Sequence, residues 1–163
     1  MAKRKQNGEL ILNKATWSSV EEVELEVEIH DFLEKIFDDG KKKKAIESPK
    51  FNLGGVEMTI RVYPDYRMGG SVGVFLLNHS DQDQKVSFTF TSKKSKSAGP
   101  IYALTQESRE RVMIQANKSL GYPGFLSHRD YKKLAEEDGD VFKLEVSVSL
   151  HTKEKSATDS WTR

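Results

Sequence analysis

The strongest constraint in this sequence is a two-residue alternation near its end. Phe142, Leu144, Val146, Val148 and Leu150 are separated by Lys143, Glu145, Ser147 and Ser149. In an extended chain successive side chains point to opposite faces, so this segment buries one face and wets the other. A helix of the same sequence would scatter the apolar positions around its circumference. The pattern recurs in Val23, Leu25, Val27 and Ile29 between Glu24, Glu26 and Glu28. Ser19-Val-Glu-Glu22 just upstream has the form of a helix capping box, but the alternation decides for a strand. It returns at Val56, Met58, Ile60 and Val62, at Val72, Val74 and Leu76, at Val86, Phe88 and Phe90, and at Val112, Ile114 and Ala116. Ile101 and Ala103 form a weaker member, and Leu10-Ile-Leu12 is a candidate further strand.

Turn formers fall between these runs: Asp38-Asp-Gly40, Gly54-Gly55, Pro64-Asp65, Met68-Gly-Gly70, Ser80-Asp-Gln-Asp83 and Ala98-Gly-Pro100. Short half-buried strands joined by turns predict an all-β antiparallel sandwich of about eight strands. One short helix is expected behind Ser127 as its cap. Asp130 falls in its first turn, Tyr131, Leu134 and Ala135 share a face, and Gly139 stops it. A chain of 163 residues is the size of one domain. The expected division is an N-terminal extension over 1–21, a single domain over 22–151 and a C-terminal tail over 152–163, with 38–50 a mobile loop.

The charge balance, 26 Lys and Arg against 25 Asp and Glu, argues against a dedicated nucleic-acid binder, which carries a basic excess. Lys41 to Lys44 and Lys93-Lys-Ser-Lys96 are basic runs without interleaved aromatics. They read as solvated loops, or as an aid in docking an acidic partner. No apolar run is long enough to span a membrane, and no apolar segment follows the charged start from Met1 to Gly8 as a secretory signal would require. The expectation is a cytoplasmic protein, with the nucleus as the alternative. The absence of cysteine excludes disulfides and thiolate catalysis. The sequons at Asn78-His-Ser80 and Asn117-Lys-Ser119 read as chance.

Nothing in the chain points to catalysis. His30, His79, His128 and His151 show no helical metal spacing. His79-Ser-Asp81-Gln-Asp83 lacks the glycine and terminal glutamate of a calcium loop. His128-Arg-Asp130 shares three letters with a kinase catalytic loop, but Ala135 stands where the magnesium-binding Asn is needed. Asp38-Asp39 and Glu136-Glu137-Asp138 lie in hydrophilic stretches, so they read as surface charge rather than tuned catalytic pairs. No Gly-x-Ser-x-Gly elbow exists, and Gly69-Gly-Ser71-Val-Gly73 has the wrong spacing. The chain is read as a non-enzyme with no cofactor and no metal.

The stretch from Ala116 to Phe125 carries Gly121, Pro123 and Gly124 after a strand. Leu120 and Tyr122 lie two apart, so an extended chain points both to one side. They belong either to the core or to an edge that receives a peptide as an added strand.

With these residues in view the chain resembles the MATH domain, also called the TRAF-C domain, over roughly residues 22–150. Val27-Glu-Ile29-His-Asp-Phe32 resembles the opening Trp-x-Ile-x-x-Phe, with Val27 in place of the tryptophan. Ser48-Pro-Lys-Phe51 resembles Ser-Pro-x-Phe. Glu57 to Pro64 resembles the next strand, Val72-Gly-Val-Phe-Leu-Leu77 the Leu-Ser-Leu-Phe strand, and Gln84 to Phe88 the one after. Leu120-Gly-Tyr-Pro-Gly-Phe125 resembles the aromatic-Gly-aromatic element, and Asp138 and Asp140 approximate a paired Asp before the last strand. Gly73 replaces a serine, and Ser71 stands where many members have a tyrosine. The resemblance implies an eight-stranded sandwich that holds an extended peptide in a shallow groove at one sheet edge. It implies groove residues at Arg67, Lys118, Leu120, Gly121 and Tyr122. The implied partners are short linear motifs, acidic or aromatic, in receptor tails or substrate proteins. The implied role is an adaptor in signalling or ubiquitin transfer. Residues 1–22 carry no sustained heptad pattern, so a monomer or weak trimer is expected. The alternative reading is a carbohydrate- or lipid-binding β-sandwich.

Overall fold

The structure is a computed structural model and describes residues 10–37, 45–66, 69–93, 103–107 and 112–151. In chain order the elements are β1 (Ile11–Ser19), β2 (Glu22–His30), α1 (Phe32–Phe37), β3 (Ile46–Glu47), β4 (Phe51–Leu53) and β5 (Val56–Tyr63). There follow β6 (Ser71–Asn78), β7 (Gln84–Lys93), β8 (Ala103–Glu107), β9 (Val112–Ile114), β10 (Ser119–Ser127), α2 (His128–Asp138) and β11 (Val141–Leu150). Sheet I has the order β1-β2-β11-β7-β8, with β9 also paired to β7; sheet II has the order β10-β6-β5-β3, with β4 also paired to β5. Every pairing is antiparallel. The chain is an all-β antiparallel sandwich, as the alternation required.

The alternating residues form the core where the period places them. On β11, Phe142, Leu144, Val146, Val148 and Leu150 are buried, and their polar neighbours lie on the outer side. Register pairs them with Ile29, Val27, Leu25 and Val23 of β2 on one side and with Phe90, Phe88 and Val86 of β7 on the other. Opposed strand residues share a face, so one continuous apolar surface forms. Met58, Ile60, Val62, Val72, Val74 and Leu76 meet it from sheet II.

The helix at Ser127 forms as its caps dictate. Ser127 Oγ accepts from the Asp130 N–H at 3.0 Å, and Gly139 closes the last turn onto the Ala135 carbonyl at 2.9 Å. Tyr131 and Leu134 are buried beneath it.

Two elements differ from expectation. The segment 11–19, assigned to an extension, is strand β1 on the edge of sheet I, and Leu10 before it is buried. Register shifts after Leu12 and after Trp17 break its period, so the alternation is not visible in the sequence. A second helix, α1, also appears. Asp31 enters it at φ 55°, and its N–H donates to the Asp140 carbonyl. Asp140 Oδ1 accepts from the Leu33 N–H at 2.9 Å and from the Tyr131 hydroxyl at 2.8 Å, which ties α1 and α2 to the start of β11. Phe32 stacks on Phe142 with ring centroids 4.8 Å apart. Burial, and then the Asp140 carboxylate, raise the Tyr131 pKa well above the ordinary phenol value. Asp140 is therefore a clamp between elements. Among the described residues the strands also outnumber the expected eight or so, because β3, β4 and β9 are pieces of two or three residues.

Candidate functional site

Lys118 is exposed in the turn before β10, and its carbonyl accepts from the Asn78 N–H at 3.0 Å. Leu120 and Tyr122 do share a side, but it is the side facing the sandwich interior, since they pair with Leu76 and Val74, both fully buried. Leu120 is 38% exposed at the rim. The Tyr122 ring lies edge-on to Phe88 and Phe90, with centroids 6.0 Å from each, and packs against the core. Gly121 sits where a Cβ would overlap the Val74 carbonyl oxygen and lie 2.6 Å from Phe75 Cα. Its lack of a side chain is what lets β10 approach β6. Arg67, the remaining residue expected in a groove, lies outside the described residues, as do Lys41 to Lys44 and Lys94 to Lys96.

The strand itself lies at a sheet edge. β10 ends the strand order of sheet II, and among the described residues no strand pairs with its other side. Register is regular over 119–122 and breaks between Tyr122 and Leu126, where Pro123 and Gly124 fall. Only the first part of the edge can therefore extend a ladder.

Next to that edge, the outer face of sheet II carries a feature that the core pattern does not predict. Tyr63 on β5, Tyr66 in the following turn and Phe75 on β6 form a closed aromatic triangle. Ring centroids are 5.1, 5.4 and 5.3 Å apart. Phe75 is 9% and Leu77 6% exposed. Both are buried, yet neither belongs to the interior core. Gly73 makes the stacking possible, since a Cβ there would press to 3.1 Å on the Phe75 ring and 3.2 Å on Tyr66. Phe75 stands opposite Gly121, so its register partner on β10 has no side chain. The sequence signal was available. Arg61 and Tyr63 share the phase opposite to Ile60 and Val62, which is where a solvated face would carry small polar residues.

A polar cluster adjoins the triangle. Arg61 donates through Nη2 and Nε to Glu47 Oε1 at 3.1 and 3.3 Å. Glu47 Oε2 accepts from the Thr59 hydroxyl at 2.6 Å, and His79 Nε2 lies 2.9 Å from Thr59 Oγ1 and 3.2 Å from Glu47 Oε2. Partial burial opposes ionisation of Glu47, but hydrogen bonds from Thr59 and Arg61 outweigh it and hold the carboxyl below its ordinary value. Arg61 is shifted upward: burial opposes this, and its bonds to Tyr63 and Glu47 prevail.

The Thr, His and Glu types of this cluster invite comparison with a nucleophile triad, and the geometry is wrong for one. A triad hydroxyl gives its proton to the imidazole while the carboxylate orients the other ring nitrogen. Here Thr59 gives its proton to the carboxylate, and both partners meet the same Nε2.

The other histidines are bound locally. His30 pairs with Glu28 at 3.0 Å, His128 Nε2 lies 2.7 Å from the Pro64 carbonyl oxygen, and His151 Nε2 lies 2.8 Å from Ser87 Oγ. Among the described residues no three His, Asp or Glu side chains are grouped to hold a metal ion. No described helix is long and apolar enough to cross a membrane. Asn78 is fully buried, and its amide nitrogen donates to the Gln82 and Ile114 carbonyls, so that sequon offers no accessible acceptor. No family model matches the chain, and no match to it is found among curated proteins.

Proposed function

We propose that this protein is a peptide-recognition module of the MATH/TRAF type. It holds a short extended motif of a receptor tail or substrate protein and links it to a signalling or ubiquitin-transfer assembly. The observation that carries this reading is the Tyr63, Tyr66 and Phe75 triangle on an outer sheet face, beside the unpaired edge of β10. A peptide strand added at Ser119–Tyr122 pairs its backbone with β10. Its side chains on the outer side then look across Gly121 toward Phe75. Neighbouring strands are about 5 Å apart, so a long side chain two strands away reaches the rings. Lys118, exposed just before this edge, supplies positive charge, while the Arg61 guanidinium is paired with Glu47. Such a face is shallow, so single-site affinity is weak and multivalency does the rest. No covalent chemistry is involved.

The test is a short-peptide library screened against the purified protein and against Tyr63→Ala and Tyr66→Ala variants that keep the wild-type melting curve. A recurring motif that binds the wild type and is lost in both variants supports the reading; enrichment of no motif overturns it. Half-buried tyrosine rings also stack on sugar faces, which makes a carbohydrate-binding sandwich the second reading. A glycan array in place of the peptide library separates the two.

A further inference from the structure

We propose that His79 is a proton gate that sets the preference of the outer face of sheet II for acidic ligand side chains; the inference rests on the peptide-recognition reading above. Thr59 has one hydroxyl proton and spends it on Glu47, so its oxygen accepts from His79. That places the proton of the neutral ring on Nε2, and an added proton goes to Nδ1. Protonation therefore adds charge without breaking either Nε2 contact.

The consequence falls on Arg61. With His79 neutral, the Glu47 carboxylate cancels the guanidinium it occupies. An acidic ligand that takes the Nε–Nη2 edge displaces Glu47, which is then left with Thr59 and an uncharged imidazole. With His79 protonated, Glu47 keeps a cationic partner as it leaves Arg61, and the cluster as a whole gains one positive charge. Both effects favour acidic ligands once the imidazole takes up its second proton.

The charges around His79 do not offset this. Glu47 on β3 and Arg61 on β5 are in the cluster itself. Glu57 on β5 is paired with Lys50 at 3.7 Å. Asp81 and Asp83 in the following turn are exposed, as is Lys118 in the turn before β10. Among the described residues Glu47 is the carboxylate within ion-pair distance of His79.

The experiment compares two synthetic libraries of short peptides, one with a fixed Glu and one with Gln at that position, on the intact protein at about pH 6 and about pH 8. The expected result is a Glu-over-Gln preference that grows about threefold toward the lower pH, the size of one partly screened charge. The pH dependence is lost in His79→Gln, and Glu47→Gln raises the preference at both pH values. Binding of both libraries with a pH-independent ratio, or a pH dependence that persists in His79→Gln, overturns the gate while leaving peptide recognition standing. Binding of neither library at either pH overturns both.

Discussion

On β11 the residues pointing out of sheet I are Lys143, Glu145, Ser147 and Ser149; on β6 those pointing out of sheet II are Gly73, Phe75 and Leu77. Both strands are central, and both alternate on their inner side. Their outer sides differ in kind. That of sheet I adds Glu22, Glu24, Glu26 and Glu28 from β2 and Ser87, Thr89 and Thr91 from β7, a charged and hydroxylated surface that water covers. The outer side of sheet II buries an aromatic ring and a leucine outside the core and surrounds them with Tyr63, Tyr66 and Arg61. A sheet needs one apolar face to fold; the second one here is closed over by its own tyrosines, which leaves their half-buried rings at the surface.

The largest test of this contrast is Gly121→Ala. Its Cβ would meet β6 backbone rather than a flexible side chain, so we expect a loss of about 3 kcal/mol in chemical denaturation. Ser147→Ala on the opposite outer face should change stability by less than about 0.5 kcal/mol. If both are neutral, the close approach of β10 to β6 is wrong.

Next comes Phe75→Ala, expected to cost about 3 kcal/mol, against Glu24→Ala on sheet I, expected within about 0.5 kcal/mol. Equal effects would remove the distinction between the faces. Tyr122→Ala should cost about 2 kcal/mol of stability, because its ring is packed on Phe88 and Phe90. An unchanged melting curve would instead put Tyr122 on the ligand side.

The smallest effects are electrostatic. Glu145 stands directly opposite Glu26 across β11 and β2. Like charges so placed repel, and Glu145→Lys should stabilise the protein by about 0.5 kcal/mol, less at high salt. On sheet II, Glu47 has a lowered pKa in the folded state. Its contribution is fully present above its ordinary value of 4.5 and is lost as pH falls through the lowered folded value. A third of this side chain is exposed, so the term is on the order of 0.5 kcal/mol. Glu47→Gln should remove that part of the acid limb of the stability curve, which denaturation at about pH 6 and about pH 3 would read.

The sandwich was legible because a buried strand pair has no other way to satisfy a period of two. Val23 to Ile29 and Phe142 to Leu150 declared their inner faces residue by residue, and Ser127 and Gly139 declared both ends of α2. These are local rules, and they hold wherever the chain obeys them without interruption. β1 was not legible as a long strand, because its bulges interrupt them. The candidate site was legible in part. The spacing of Leu120 and Tyr122 placed them on one side, but spacing is blind to whether that side faces the opposite sheet or the solvent.

That choice belongs to the tertiary structure. Tyr122 turns inward because Val74, its register partner, does. The outer face of sheet II exists as a surface only once Tyr63 and Tyr66, on either side of a turn, close over Phe75 from the next strand. Glu47, Thr59, Arg61 and His79 come from three separate segments, and the hydrogen bonds that join them form only when β3, β5 and the end of β6 lie side by side. Alternation along one strand determines which side chains share a face; only the pairing of strands determines which faces meet, and so which polar and aromatic groups are left together in water.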